Sequence, residues 1–294
     1  MGEWERWRDV AAALGRMAPA RREPAIRSGS MALDWALGGG FPRGRVTELY
    51  GPEASGKTTI ALHAVAEAQR AGGTAAFLDA DHAFDSAYAC TVGVALEPLL
   101  LARPASGEQA LEIAARLTGS RALDLLVVDS AAALVPRLEL EGGAGDDYGG
   151  VQNRMLEQGL RRLSAAAART GCCLLFVNQL RGRTGIGGPE TTAGGHALRL
   201  HAAVRAEVRP IASIGESGRP DGMRVRVRIV KNRLAPPYRE AEFEIHYGEG
   251  IERRKDLLAC AERCGLDTAP AGDSGVWEAL ERAARRSLGL ETRN

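Results

Sequence analysis

Aromatic residues are scarce in this chain of 294 residues, since phenylalanine, tryptophan and tyrosine together make up only 5% of it. Hydrophobic residues nevertheless reach 45%, so a sizeable core can form, and it must consist mainly of aliphatic side chains and alanine. The length fits one large domain, or one domain with small appendages.

Excess charge of one sign is also missing, because 38 lysines and arginines nearly balance 37 aspartates and glutamates. With a net charge of +1, any nucleic-acid surface must be a local patch rather than a global field. No apolar run approaches membrane-spanning length, and the first residues, MGEWERWRDV, carry charges where a signal peptide needs an apolar core. We therefore expect a soluble cytoplasmic protein with no membrane partner.

Cysteine is sparse, and none of the five cysteines forms a CxxC pair. An odd number of thiols without such pairs predicts reduced side chains in a reducing cytosol rather than a disulfide framework. Cys260 and Cys264 lie one helical turn apart, but no second pair of ligands accompanies them, so we expect no zinc site.

From about residue 45 onwards, short apolar runs alternate with helical segments. The runs are RVTELYG, TAAFLDA, LDLLVVDS and CCLLFVNQ, and helices predicted over 57–71, 107–118 and 151–169 lie among them. This alternation predicts an α/β fold with a mainly parallel sheet flanked by helices on both faces. From 203 to 246 the apolar residues recur with period two, which predicts an antiparallel extension with one solvated face.

The two ends of the chain follow different patterns. Within residues 4–17, Trp4, Trp7 and Leu14 share one helical face, and the stretch APARREP that follows predicts a linker. An apolar face cut off by a linker needs a partner surface, either on its own core or on a neighbouring copy. After Gly250, helices predicted over 252–264 and 275–288 form a short charged tail.

The segment GPEASGKTT matches the phosphate-loop pattern G-x-x-x-x-G-K-[ST] at every position, and it lies between a predicted strand and a predicted helix. Glycine lets backbone amides wrap around phosphate oxygens at the start of the helix. Lys57 is expected to reach the β- and γ-phosphates, and the Thr58 hydroxyl to bind Mg²⁺. A turn that binds nothing is the disfavoured alternative. The predicted nucleotide-binding residues are Gly51, Pro52, Glu53, Ala54, Ser55, Gly56, Lys57, Thr58 and Thr59.

Acidic residues follow two further predicted strands. Asp129 ends the run LLVVD, where it is expected to hold Mg²⁺ through water. Asp79, Asp81 and Asp85 cluster in FLDADHAFD, and hydrolysis of a γ-phosphate needs a carboxylate to position or polarise water. Spacing alone does not decide which of the three aspartates serves, and helix N-capping is an alternative role for at least one of them.

A glycine-rich segment follows the apolar run CLLFV. Six of the fourteen residues from 182 to 195 are glycine, and Arg181, Arg183 and Arg199 lie in or beside the segment. Such a chain does not hold one conformation alone, because glycine loses the most freedom on ordering. Arginines for phosphates and glycines for close backbone approach indicate a loop that single-stranded nucleic acid orders, with a solvated surface as the alternative.

From about Ser28 to Ile251, these segments resemble the RecA family of bacterial recombinases. Further matching segments occur in family order with family-like spacing: GSMALDWALGGG, GEQALEI, FVNQLR, PETTAGGHAL, VKNRLAPPY and YGEGI. The resemblance implies a polymerisation helix and linker over 1–27, a RecA-like ATPase core over 28–251 and a reduced C-terminal domain over 252–294.

In function, the resemblance implies a DNA-dependent ATPase with ATP and Mg²⁺ as cofactors. Such a protein forms helical filaments on single-stranded DNA and exchanges that strand with homologous double-stranded DNA, in recombination and DNA repair. The resemblance further implies SOS-type signalling, with a repressor as an additional partner.

The resemblance also implies roles for individual residues. Tyr88 matches the aromatic residue that stacks on adenine, and Asp81 stands where the family has its catalytic glutamate. Gln179 matches the glutamine that senses the γ-phosphate, and Lys231 and Arg233 match the basic pair that reaches the neighbouring subunit's ATP. The implied DNA-binding residues are Arg154, Arg161, Arg181, Arg183, Ile186, Glu190, Gly194 and Gly195.

Three features depart from the family pattern. Asp81 is one methylene shorter than glutamate, which predicts slow ATP turnover with intact binding. Gly149 and Thr184 stand where the family has apolar wedges, with Tyr148 and Ile186 as candidate substitutes, which predicts weaker strand exchange. The C-terminal region is short and lacks an acidic tail.

These departures leave an alternative open, namely a RecA-derived accessory or regulatory protein that binds ATP but exchanges strands weakly or not at all. A transport-type or clock-type ATPase with the same core is a third alternative, although no transporter motif is present.

Overall fold

The computed structural model describes residues 25–143, 148, 150–181, 191–216, 219–266, 268 and 274–290. The predicted helix over 4–17 lies outside these residues. Five residues named above also lie outside them: Gly149, Arg183, Thr184, Ile186 and Glu190. The side chain of Arg181 is likewise outside the described part of the chain.

The described strands and helices follow one another in alternation over the first two thirds of the chain. Strands β1 to β12 span Ala25–Ile26, Phe41–Pro42, Val46–Gly51, Ala75–Asp79, Leu100–Ala102, Leu125–Asp129, Cys173–Arg181, Thr191–Thr192, Val204–Glu216, Arg219–Asn232, Glu240–His246 and Gly250–Ile251. Helices α1 to α9 span Met31–Leu37, Lys57–Arg70, Ser86–Val92, Gly107–Gly119, Arg137–Glu141, Val151–Thr170, Ala197–His201, Arg253–Arg263 and Ser274–Ser287.

The central sheet has the strand order β12-β11-β10-β9-β3-β7-β6-β4-β5. Neighbours from β5 through β9 along this order pair in parallel. Strands β9 to β12 pair antiparallel, and β8 pairs antiparallel with the end of β7. The predicted α/β fold with a mainly parallel sheet and an antiparallel extension is therefore confirmed. The parallel pairing of β3 with β9 joins both parts into one sheet.

The core lies on both faces of this sheet. Every residue of β3, β4 and β6 is buried, as expected of parallel strands that helices cover on both sides. Helices α1, α2, α3, α8 and α9 pack with one face, and α4, α6 and α7 with the other. Leucine, isoleucine, valine and alanine dominate both clusters, in line with the low aromatic content.

The C-terminal helices pack on the core through buried polar contacts. Arg285 on α9 pairs with Asp34 on α1, with Nη2 and Oδ2 3.3 Å apart and both side chains buried. The other oxygen of Asp34 accepts from the amide and hydroxyl of Ser28, at 2.7 and 2.8 Å. Asp256 on α8 accepts from the Met31 amide and so caps α1. The segment predicted as a charged tail is thus attached to the first helix of the described fold.

The five cysteines are free thiols, and burial raises the pKa of Cys173 and Cys260 to about 12. No group of three or more His, Cys, Asp or Glu side chains suited to a metal ion occurs in the described part of the chain. Among the same residues, no helix is long and apolar enough to cross a membrane.

Candidate active site

The loop between β3 and α2 places the side chain of a lysine beside the N-terminus of α2. Gly56, with a φ of 87°, is the residue before α2, and Lys57 is the first residue of that helix. Lys57 Nζ donates to the Pro52 carbonyl, and to Ser55 Oγ at 3.2 Å, so its side chain lies along the loop. Burial lowers the pKa of Lys57, partly opposed by the carboxylate of Asp129. Unpaired amides at a helix start, together with an ammonium group, suit a polyphosphate.

The second residue of α2 meets the end of strand β6. Thr58 Oγ1 donates to Asp129 Oδ2 at 2.7 Å. Burial raises the pKa of Asp129 to about 6, although the Thr58 hydrogen bond acts in the opposite direction. A hydroxyl and a carboxylate beside a phosphate loop are hard oxygen ligands of the kind that Mg²⁺ takes with a nucleotide. The residues present therefore fit a magnesium–nucleotide complex.

The structure separates the three aspartates of FLDADHAFD. Asp79 is buried, and its carboxylate accepts two backbone amides of the following turn at 2.9 and 3.2 Å. Asp85 caps α3 by accepting two amides of its first turn at 2.9 and 3.0 Å. Asp81 is exposed, and its own amide donates to the Asp129 carbonyl at 3.3 Å. Of the three, Asp81 alone presents an exposed carboxylate beside Asp129 that caps no backbone amide of the described residues.

An open pocket of about 530 Å³ lies next to the phosphate loop. The hydroxyls of Tyr88 and Thr59 are 2.9 Å apart at this pocket, and burial raises the pKa of the Tyr88 phenol. Met223, Ile245 and Tyr247 line it from the antiparallel extension. Sequence reasoning identified Tyr88 but missed these three, since period-two strands do not indicate which side chains reach the loop. The available sequence signal was Tyr247, which follows the last period-two strand in the segment YGEGI.

The phosphate loop packs directly against the antiparallel extension. A Cβ atom added to Gly56 would lie 2.5 Å from Ile245 Cδ1 and 3.1 Å from Met223 Cε. The positive φ of Gly56 would also strain any other residue. Both the backbone conformation and the neighbouring side chains therefore require glycine at this position.

Gln179 lies at the same edge of the sheet as the start of the phosphate loop. The parallel register of β3 and β7 pairs Gly51 with Gln179. The Gln179 amide donates to Asn178 Oδ1 at 2.9 Å, and its carbonyl accepts from the Ala193 amide at 3.0 Å. Asn178 in turn donates to the buried carboxylate of Glu48 at 2.9 Å. Gln179 therefore lies beside the start of the phosphate loop, and its carbonyl also contacts the chain that follows residues 182–190.

Of the arginines expected to contact DNA, those whose side chains the structure describes lie on α6. Arg154 and Arg161 are both exposed. Gly194 and Gly195 have φ values of 75° and 69°, and a Cβ on Gly195 would lie 2.7 Å from Asn153 Oδ1 on α6. The Asn153 oxygen also caps the start of α7, accepting two amides at 3.0 and 3.1 Å. The two glycines therefore permit close approach to the helix that carries the arginines.

Lys231 and Arg233 lie at the end of β10 and beside the end of α7. Lys231 Nζ donates to the Arg199 carbonyl at 2.8 Å, and Arg233 donates to the Leu200 carbonyl at 3.5 Å. Within the described part of one chain, both cations therefore bind a helix C-terminus, where the helix dipole favours positive charge. Leu200 is 61% exposed and Leu234, one residue beyond the pair, is 55% exposed.

The phosphate loop follows the parallel strand β3, and the hydroxyl of Thr58 contacts Asp129 at the end of the parallel strand β6. This arrangement defines a P-loop nucleotide-binding protein of the α/β class. Comparison with known proteins narrows this class to a family. The family model described as RecA N-terminal domain matches residues 9–252. The chain belongs to the RecA family, which confirms the resemblance seen in the sequence.

Curated relatives match most of the chain. It is 51% identical over 256 residues to Protein RecA of Geobacter sulfurreducens, covering 86% of this chain and 75% of the relative. It is 52% identical over 257 residues to Protein RecA of Desulforapulum autotrophicum, covering 86% and 73%. Protein RecA of Amycolatopsis mediterranei is 51% identical over 271 residues, covering 90% and 77%.

Proposed function

We propose that this chain is a DNA-dependent ATPase that assembles into filaments on single-stranded DNA, in homologous recombination and DNA repair. Membership of the RecA family supports the recombinase role. The observation that carries the ATPase part is the 2.7 Å hydrogen bond between Thr58 and Asp129, beside Lys57. We further infer a cytoplasmic location and an SOS-type repressor as an additional partner.

The residues of this site divide the chemistry among them. Magnesium, when bound with ATP, neutralises phosphate charge. Lys57 would bind the phosphates, Thr58 would bind Mg²⁺ and Asp129 would hold it through water, while residues 51–59 would supply backbone amides. Asp81 orients and polarises the attacking water, and Gln179 senses the γ-phosphate. Tyr88 stacks on the base in the pocket beside the loop, opposite Met223, Ile245 and Tyr247.

DNA contacts are proposed for two regions that follow β6 and β7. The exposed positions of Arg154 and Arg161 on α6 support this assignment. If four arginines bind phosphates of a single strand, the logarithm of the affinity should fall with the logarithm of salt at a slope near −3, at about 0.7 per contact. The proposed residues are Arg154, Arg161, Arg181, Arg183, Ile186, Glu190, Gly194 and Gly195.

Self-assembly is proposed to bring Lys231 and Arg233 to the nucleotide of the neighbouring subunit. The exposure of Leu200, Leu234 and Tyr238, at 61%, 55% and 68%, supports an interface beside this basic pair. In this assignment, residues 1–27 are a polymerisation segment, 28–251 the ATPase core and 252–294 a C-terminal domain.

A second candidate is a RecA-derived accessory protein with weak or no strand exchange. Two sequence features favour it, namely the short carboxylate of Asp81 and the absence of apolar wedges at Gly149 and Thr184. Both candidates bind ATP, so the distinction lies in assembly and in strand exchange.

Electron microscopy with single-stranded DNA and a non-hydrolysable ATP analogue tests the proposal. We expect regular helical filaments from the unaltered chain and none from Lys57→Ala, because filament formation requires bound nucleotide. Strand exchange between a single strand and a homologous duplex then separates the candidates. Filaments without exchange support the accessory protein, and the absence of nucleotide-dependent filaments contradicts the proposed function.

A further inference from the structure

We propose that Arg103, acting through Asp79, is a positioning residue for the carboxylate of Asp81 in ATP hydrolysis. The inference rests on the proposed function, in which Asp81 acts on water at a bound nucleotide. Its starting point is an ion pair that the nucleotide-binding motifs do not include. Arg103 Nε donates to Asp79 Oδ2 at 3.1 Å.

Sheet register brings the two residues together. The pairing of β4 with β5 aligns Leu78 with Ala102, so the next residue of each strand, Asp79 and Arg103, emerges side by side. On the opposite side, Asp79 is aligned with Asp129 at the end of β6. The carboxyl edge of the sheet therefore carries a row in which an arginine, a buried aspartate and the proposed magnesium ligand are neighbours.

The carboxylate of Asp79 holds the segment that carries Asp81. Asp79 Oδ1 accepts the Ala83 amide at 2.9 Å, and Oδ2 accepts the Phe84 amide at 3.2 Å. Arg103 donates to the same Oδ2 atom. Asp81 lies between the strand end and these two amides, so the orientation of the Asp79 carboxylate fixes the far end of the turn that displays Asp81.

The near end of the same turn is held by the backbone. The amides of Ala80 and Asp81 both donate to the Asp129 carbonyl, at 2.7 and 3.3 Å. The turn therefore spans from the proposed metal ligand to the Asp79 carboxylate. A rotation of the Asp79 carboxylate would shift the hydrogen bonds at the far end of the turn, while those to the Asp129 carbonyl at the near end would stay in place. Asp81 lies between these two ends.

Arg103 suits the role of holding this carboxylate in one orientation. The Asp79 side chain is only 3% exposed, and a buried carboxylate needs hydrogen-bond donors from the protein in place of water. Charge-assisted hydrogen bonds are stronger and shorter than neutral ones, so the guanidinium limits rotation of the carboxylate. Pro104 follows Arg103 and restricts its backbone to extended conformations, which narrows the direction of the side chain.

The arginine itself is accessible enough to be replaced without loss of the fold. Its side chain is 53% exposed, whereas Asp79 is buried among the strand ends. Removal of the guanidinium leaves the two amides as donors to Asp79 and lets its carboxylate reorient. Because catalysis depends on the position of a reacting group to within about 1 Å, the effect should fall on the chemical step rather than on ATP binding.

The test compares Arg103→Gln with the unaltered chain in DNA-stimulated ATP hydrolysis. We expect kcat to fall about 10-fold, with KM and the dissociation constant for ATP within about twofold. Arg103→Lys retains the cation and should recover part of the rate. Arg116→Gln is the matched control, because Arg116 is also a partly exposed arginine bonded to a carboxylate, at 2.9 Å from Glu112, and should leave kcat unchanged.

A double substitution separates positioning from a general structural effect. In an Asp81→Asn background, Arg103→Gln should lower the residual kcat no further, since the carboxylate that it positions is gone. Amide hydrogen exchange should speed up at Ala83 and Phe84 in Arg103→Gln. Full activity of Arg103→Gln, or an equal loss in the Asp81→Asn background, overturns the inference.

The proposed function of the chain and the proposed role of Arg103 can be refuted independently of each other. An unaltered chain that hydrolyses no ATP contradicts the proposed function. In that case unchanged exchange at Ala83 and Phe84 in Arg103→Gln still overturns the inference, and faster exchange shows that Arg103 orders the turn that carries Asp81.

Discussion

The hydroxyl of Thr58 and the carboxylate of Asp129 lie 2.7 Å apart, although 71 positions separate them in the chain. One comes from the first turn of α2, and the other from the end of β6, with β7 lying between β3 and β6 in the sheet. Their contact brings the phosphate loop and an acidic strand end into one site. It also links the chemistry of the site to the protonation of a single buried carboxyl group.

Affinity for magnesium–ATP should weaken as the pH falls through about 6. Burial raises the pKa of Asp129 to about 6, and the role proposed for it in holding Mg²⁺ depends on the ionised form. Below that pH the ionised fraction falls about tenfold per unit. Titration calorimetry from pH 5 to 8 measures the change, with Asp129→Asn as the control that should bind weakly at every pH. A flat affinity profile in the unaltered chain would contradict this prediction.

In the nucleotide-free protein, Asp129→Asn should increase stability at neutral pH. A raised pKa means that the folded state holds the proton more tightly than the unfolded state. The group therefore contributes full stability below its unfolded pKa, near 4, and loses it as the pH rises through about 6. At pH 7.5 the expected gain is on the order of 3 kcal/mol, and only a small part of it should remain near pH 4. Urea unfolding at both pH values checks it, and a loss of stability at pH 7.5 would refute it.

Asp81→Glu should speed ATP hydrolysis. The added methylene extends the carboxylate by roughly 1 Å, to the length of the family's glutamate, and such a displacement can change a rate on the order of 100-fold. ATP affinity should change little, because Asp81 is exposed and phosphate binding is proposed for residues 51–59 instead. Steady-state ATPase assays with single-stranded DNA measure the effect. Unchanged turnover in Asp81→Glu would contradict the prediction that the short carboxylate slows hydrolysis.

Replacing both Lys231 and Arg233 with alanine should abolish filaments and DNA-stimulated hydrolysis. Both side chains bind the end of α7 rather than the phosphate loop of their own chain, so ATP binding by the isolated chain should persist. Arg228→Ala on the same strand is a control, since that exposed arginine lies 3.6 Å from Glu240. Microscopy and ATPase assays report the outcome. Intact filaments from the double variant would break the proposed link between subunits.

Arg285→Met should destabilise the fold by about 3 kcal/mol. The substitution leaves the fully buried Asp34 without its cation, and an uncompensated buried charge is costly. The combined variant with Asp34→Asn should lose less than the sum of the single effects. Arg27→Met is the control, because its pair with Glu281 is half exposed and should contribute under about 1 kcal/mol. Equal losses for Arg285→Met and Arg27→Met in thermal unfolding would contradict this account.

The parallel half of the sheet could be predicted because its strands carry a strong signal. Strands β3, β4 and β6 are short, buried along their whole length and bounded by turns, and β4 and β6 are apolar except for a final aspartate. The two-residue strands β1, β2 and β8 carry no such signal, because two residues are too few for any periodicity. Helix α1 was likewise missed, since it depends on caps from Ser30 and from the distant Asp256.

The residues of the candidate site also differ in whether the sequence could predict their positions. Contiguous sequence revealed the phosphate loop, whose geometry depends on neighbours in the chain. The separation of Asp81 from Asp79 and Asp85 could not be predicted, because it depends on which backbone amides each carboxylate meets. Arg103 and Tyr247 were missed for a related reason, since strand register and the antiparallel extension bring them to the site.

The contact of Gly56 with Met223 and Ile245 has a consequence for evolution and for protein engineering. The loop and the extension are separate in sequence, yet they pack against each other without space for an added methyl group at Gly56. Larger side chains grafted into β10 or β11 from a relative would displace the loop and weaken nucleotide affinity without altering any residue that touches phosphate. Chimaeras within this family should therefore transfer both segments as a matched unit.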